Sequence, residues 1–173
     1  HAGGAPAAAD MPNGRLVRWG ETAGSVSVVP QPAMNRNGHP VDLQGRLVSC
    51  EHRGRCVSRT EFDGRRTVLA DRFEGKRFNS PNDLVVKSDG SIWFTDPSYG
   101  IDGEYEGDHA ISEIGACNVY RIDPVNGAVT AVITDMVRPK GLAFSPDERQ
   151  LYVADPGLTH KAECDADIRL YPV

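Results

Sequence analysis

Four arginines, Arg18, Arg59, Arg121 and Arg169, each stand in a short β-prone run, at intervals of 41, 62 and 48 residues. The longest interval contains an extra polar segment from Ile101 to Gly115. Upstream of three of these arginines lies a second recurring pattern, four β-prone residues closed by an acid: Leu47–Glu51, Ile92–Asp96 and Leu151–Asp155. Turn residues punctuate the runs at Gln44-Gly45, Asp63-Gly64, Ser88-Asp89-Gly90, Asn126-Gly127 and Ser145-Pro146-Asp147. Two β-prone runs across an Asp-Gly or Asn-Gly turn form a hairpin, because glycine supplies the positive φ that the turn demands. A repeat of about 45 residues that carries four short strands is the signature of a β-propeller blade. The expected fold is therefore all-β, a propeller of which this chain supplies three to four blades. The units are expected at 15–40, 41–78, 79–138 and 139–173, behind a poorly structured leader or cut edge at 1–14. Propellers close with about 4–8 blades, since closure removes exposed sheet edges. A partial ring is thus expected to belong to a longer protein, to pair with a second copy, or to self-associate through its open edges, and the first is preferred.

At 173 residues the chain is long enough for one well-buried domain. A net charge of −5 argues against nucleic acid or an anionic membrane as partner, and no apolar run approaches the length of a membrane span. Cys50, Cys56, Cys117 and Cys164 are widely spaced without a CxxC, and are read as reduced and structural. The opening HAGGAPAAAD lacks the apolar core of a signal peptide, so a cytoplasmic location is expected, with the bacterial periplasm as the alternative.

Aligning the repeats brings Asn37-Gly38, Asn82-Asp83 and Lys140-Gly141 to one position, the start of the innermost strand of successive blades. Side chains there face the central channel, and amide and carboxylate oxygens in a ring suit a hard cation such as Ca²⁺ or Mg²⁺. The competing reading is that Asn and Asp merely close local turns.

These residues also carry a resemblance. Gln44-Gly45-Arg46-Leu47-Val48 with Cys50-Glu51-His52, Asn79-Ser80-Pro81-Asn82-Asp83 with Ser91-Ile92-Trp93-Phe94-Thr95-Asp96-Pro97, Val119-Tyr120-Arg121, and Arg138-Pro139 with Gly141 to Glu148 span Val41 to Asp155. In these motifs the chain resembles the gluconolactonase/regucalcin (senescence marker protein) family. The resemblance implies a six-bladed propeller that hydrolyses sugar lactones with one divalent cation, calcium first, with zinc or magnesium as alternatives. It further implies Asn82 as a contact to substrate, metal or metal-bound water; from the repeat alignment, Asn37 and Lys140 are expected beside it as substrate-binding positions. The family's other ligands are a Glu of a first blade, an Asn of a Pro-Asn-Gly motif and an Asp of a later blade. Here Pro139-Lys140-Gly141 stands in place of Pro-Asn-Gly, and an ammonium cannot ligate a metal. The metal set is therefore expected to be incomplete in this chain, with the cation absent altogether as one outcome. The functional expectation is a sugar-lactone hydrolase, and the alternative is a non-catalytic propeller fragment or binding module whose metal site is lost at Lys140.

Three other clusters hold metal-ligating residue types. Asp102-Gly103-Glu104-Tyr105-Glu106-Gly107 with Glu113 approaches the spacing of a calcium loop but is flanked by strands, and is read as an acidic surface loop shading the channel. Cys50, His52 and Cys56 lack a fourth zinc ligand nearby. Glu51, Asp96 and Asp155 are read as acceptors for turn N–H groups.

Overall fold

The computed structural model describes residues 7–10, 15–28, 34–157 and 166–173. Cys164, Val29, Pro30 and Pro32 lie outside them. The chain is an all-β partial propeller. Its first sheet is β1 (Ala7–Asp10), β2 (Arg15–Gly20) and β3 (Ser25–Val28), and its second is β4 (Leu47–Glu51), β5 (Cys56–Thr60) and β6 (Arg66–Ala70). A two-stranded ribbon, β7 (Arg72–Phe73) and β8 (Lys76–Arg77), leads to a four-stranded sheet of β9 (Leu84–Val86), β10 (Ile92–Asp96), β11 (Asn118–Ile122) and β12 (Val129–Ile133). A single helical turn, α1 (Tyr99–Asp102), follows β10. The last sheet is β13 (Leu142–Phe144), β14 (Gln150–Asp155) and β15 (Asp167–Pro172). Every strand pair is antiparallel and joins neighbours in sequence, as chain-local hairpins dictate.

The repeats are copies in detail. The hairpin glycines Gly45, Gly64 and Gly90 take φ of 84°, 86° and 86°, a conformation that a side chain would strain. The pairing of β5 with β6 shifts register between Val57 and Ser58, and that of β11 with β12 shifts between Val119 and Tyr120, the same place in two repeats. Ala7–Asp10, assigned to a leader in sequence, instead adds an edge strand to β2 through the register Ala7↔Arg18 to Asp10↔Arg15. Asn37–Pro40, assigned to the end of the first unit, instead runs along β4 together with Val41, in the inner position of the second.

Two apolar clusters sit between the sheets. One gathers Val48, Val57, Phe78, Leu84, Phe94 and Tyr120, with the Phe94 and Tyr120 rings stacked at 5.4 Å. The other joins Trp93, Val119, Leu142, Leu151 and Val153. Both are fed by the inward positions of alternating strands, so their burial locks the β4–β6 sheet against the four-stranded sheet and that sheet against the last. Among the described residues, no helix is long and apolar enough to cross a membrane.

Candidate functional site

The three positions aligned by the repeat coincide in space as well. The Asn37 N–H donates to Cys50 O (3.0 Å) and Cys50 N–H to Gly38 O (3.2 Å). Asn82 and Asp83 exchange the same pair of bonds with Thr95 (2.9 and 3.0 Å), as do Lys140 and Gly141 with Ala154 (both 2.8 Å). Neighbouring units are stitched together at this level. The Gly38 N–H donates to Asn82 O at 2.9 Å, and Thr95 Oγ1 donates to Lys140 O at 2.6 Å. The structure thus brings Asn37, Asn82 and Lys140 to one end of the channel.

The strand-ending acids hold this level in place. Asp96 accepts the N–H groups of Asn79 and Ser80, both at 2.8 Å, and Asp155 accepts those of Val137 and Arg138 at 2.7 and 2.8 Å. They are turn acceptors that fix the approach to Asn82 and Lys140. Burial pushes the Asp96 carboxyl up to about 7, against the pull of those two N–H bonds. Glu51 departs from the expectation. One methylene longer and fully buried, it accepts from Arg36, Arg66 and Ser58. Burial would raise its carboxyl, but the Arg66 and Ser58 bonds and the Arg36 charge hold it below the usual range.

Asp83 is less available than its place in the motif implies. Its Oδ1 accepts the Leu84 N–H (2.9 Å) and its Oδ2 the Leu142 N–H of the next unit (3.3 Å). Its carboxyl is raised by burial, with those N–H bonds opposing. A Cβ on Gly38 would lie 2.6 Å from Asp83 Oδ1, so this close approach requires glycine.

Asn82 has a partner that sequence reasoning missed. Its Nδ2 lies 3.0 Å from Nε2 of His52, which is completely buried just past the end of β4. The other ring nitrogen, Nδ1, lies 3.2 Å from the main-chain carbonyl oxygen of Glu106. Burial lowers the imidazole to about 4, the Glu106 carbonyl opposes this, and the Lys140 charge adds to it. His52 is therefore neutral near pH 7. The contact spans 30 residues, so no local pattern announced it. The only signal was an otherwise unexplained His beside the strand-ending acid.

Lys140 is exposed, and its Nζ sits 5.3 Å from the centroid of the Tyr99 ring. Tyr99, Asp102, Gly103, Tyr105, Glu106, Lys140 and Pro156 line a cleft of about 500 Å³. The acidic loop forms one wall, and it is strapped down rather than gathered around an ion. Asp102 pairs with Arg138, Asp108 with Arg53 at 3.0 Å, and Glu113 accepts the Arg77 N–H at 2.9 Å. Cys50 and Cys56 are free thiols, and Cys56 donates to Glu51 rather than facing His52.

A divalent cation does not fit this donor set. The Asn82 amide oxygen is on offer, but Asp83 has both oxygens in backbone bonds and Lys140 brings a positive charge to the third position. Among the described residues no group of three or more His, Cys, Asp or Glu is placed to hold a metal.

A family model described as SMP-30/Gluconolactonase/LRE-like region matches residues 7–169. A gluconolactonase of Zymomonas mobilis is 38% identical over 120 residues, 69% of this chain and 33% of that protein. Lactonohydrolase oryL of Aspergillus oryzae is 36% identical over 94 residues, 54% of this chain and 21% of its own length. The solved structure of a gluconolactonase from Xanthomonas campestris superposes with a TM-score of 0.88 at 37% identity, covering 96% of this chain and 54% of that one. The chain thus spans between about a fifth and about half of the length of these relatives.

Proposed function

Because the chain belongs to the SMP-30/gluconolactonase/LRE-like family, we propose that it builds part of the catalytic channel of a sugar-lactone hydrolase. The observation that supports this reading most is the channel-end group of Asn82, His52 and Lys140 beside a cleft walled by Tyr99 and Tyr105. In lactone hydrolysis, water adds to the ring carbonyl, negative charge gathers on the former carbonyl oxygen, and the ring C–O bond breaks to leave a hydroxy acid. Three parts of that reaction have counterparts here. The Asn82 Oδ1 accepts a hydrogen bond from a sugar hydroxyl or from the attacking water. The Lys140 ammonium faces the charge that develops on the oxygen and then the product carboxylate. The tyrosine faces suit the C–H surface of a sugar ring.

The relatives' length outside this chain is where carboxylates would have to come from for calcium, zinc or magnesium to bind, so no step here is assigned to a metal. A non-catalytic sugar-acid binding module is the second reading, favoured by the engagement of both Asp83 oxygens in backbone bonds, which takes the carboxylate next to Asn82 out of the role of base.

Steady-state hydrolysis of D-glucono-1,5-lactone, followed by acid release, separates the two readings. Asn82→Ala is expected to lower kcat by about 100- to 1,000-fold, the scale of losing one oriented polar group in a transition state. A wild-type rate no faster than spontaneous opening, with gluconate still bound, would replace the enzyme reading with the binding one.

A further inference from the structure

The hydrogen bonds around His52 admit only one arrangement. A main-chain carbonyl can only accept, so Nδ1, 3.2 Å from Glu106 O, carries the ring proton. A neutral ring then leaves Nε2 as a bare acceptor, and the group 3.0 Å away must be a donor. Asn82 therefore presents its NH₂ to His52 and its carbonyl oxygen the other way. That oxygen makes no hydrogen bond among the described residues and is not one of the buried unpartnered atoms, so it is the part of an otherwise buried side chain that a ligand can reach. Without the Nε2 acceptor the amide could turn over, and a donor would face the channel where an acceptor now stands.

We infer that His52 is the positioning residue of this site: held by the Glu106 carbonyl, it fixes the Asn82 amide so that an oxygen, not an NH₂, receives the ligand. The ligand group selected is a hydrogen-bond donor, a hydroxyl or a water. The purpose of this arrangement rests on the lactone-hydrolase reading, while its geometry does not. The packing around His52 supports a fixed ring. A Cβ on Gly100 would lie 2.7 Å from the Cβ atoms of both His52 and Ser80, so α1 is pressed directly against the imidazole. Because Glu106 belongs to the polar segment after α1, that loop sets the tautomer of a residue 54 positions earlier, and through it the orientation of Asn82.

The test is made on the ¹⁵N-labelled chain at pH 7, by imidazole nitrogen shifts and by scalar coupling across the N–H···N hydrogen bond. The expected result is a neutral Nδ1–H tautomer for His52 and a coupling between Asn82 Nδ2 and His52 Nε2. An Nε2–H tautomer, or no coupling, overturns the inference. Two variants give a functional readout. His52→Asn keeps a donor for Glu106 but places nothing near Asn82, and is expected to lower kcat at least 10-fold with KM within about twofold. His52→Gln puts an acceptor back near the Nε2 position, and is expected to restore most of the loss. A His52→Asn protein with wild-type kcat overturns the positioning role. If His52→Asn does not fold, His52→Gln and the wild-type coupling decide. A chain that shows the coupling but hydrolyses no lactone counts against lactone hydrolysis and upholds the His52–Asn82 geometry.

Discussion

Buried titratable groups at the channel end pull stability in opposite directions with pH. His39 and His52 are both lowered to about 4 by burial, with the nearby Arg36 and Lys140 charges respectively adding to the effect. Between pH 6.5 and 4 the unfolded chain takes up protons at these rings that the fold does not, so their contribution falls as pH falls through that window. Asp96 does the reverse. Raised by burial to about 7, it keeps its proton in the fold while the unfolded carboxyl has lost its own, so its contribution falls as pH rises from 4 to 7. Asp96→Asn removes that second limb. The stability difference between wild type and variant, measured by urea unfolding, is expected to move in favour of wild type by about 2 kcal/mol between pH 7 and pH 5. A difference that does not change with pH would contradict the account. At this scale the sequence showed Asn82 clearly, because the repeat singled it out. His52 was visible only as a spare zinc candidate, since the contact that gives it meaning depends on tertiary packing.

The elements were the most legible level, for a physical reason. Asp-Gly and Asn-Gly turns between β-branched and aromatic runs fix hairpin position and register locally, and β9 with β10 and β11 with β12 fall where those turns put them. Two elements left no such trace. β1 consists of three alanines and an aspartate and owes its extended form to pairing with β2, not to propensity. β7 and β8 are two-residue strands in a charged stretch, turned by Glu74-Gly75. The short helix α1 matters through one residue. Gly100→Ala would force its new methyl against His52 and Ser80, and is expected to cost about 1–3 kcal/mol, as overpacking does. Thermal unfolding would show it as a lower Tm, together with perturbed His52 resonances. A fully stable Gly100→Ala protein would mean that α1 is free to move away from the site.

For the whole molecule, the end sheets carry the marks of an unfinished ring. The first exposes Trp19, Val26 and Val28, and the last exposes Ile168 and Leu170. Apolar side chains on sheet faces at both ends favour association, so the isolated chain is expected to self-associate with rising concentration in sedimentation experiments. A monomer at every concentration would contradict that. We place ligand recognition at the Asn82 end of the channel. The opposite end has its own cleft of about 370 Å³, lined by residues including Asp42, Arg46, Arg59, Asp89 and Asp123. A titration of the ¹⁵N-labelled chain with sodium gluconate, with sorbitol as the uncharged control, distinguishes the two ends in one measurement. Saturable shift changes confined to Asn37, His52, Asn82, Tyr99 and Lys140 are expected, stronger with gluconate than with sorbitol. Changes centred on the Arg46 and Arg59 cleft, or identical responses to both compounds, would contradict this placement.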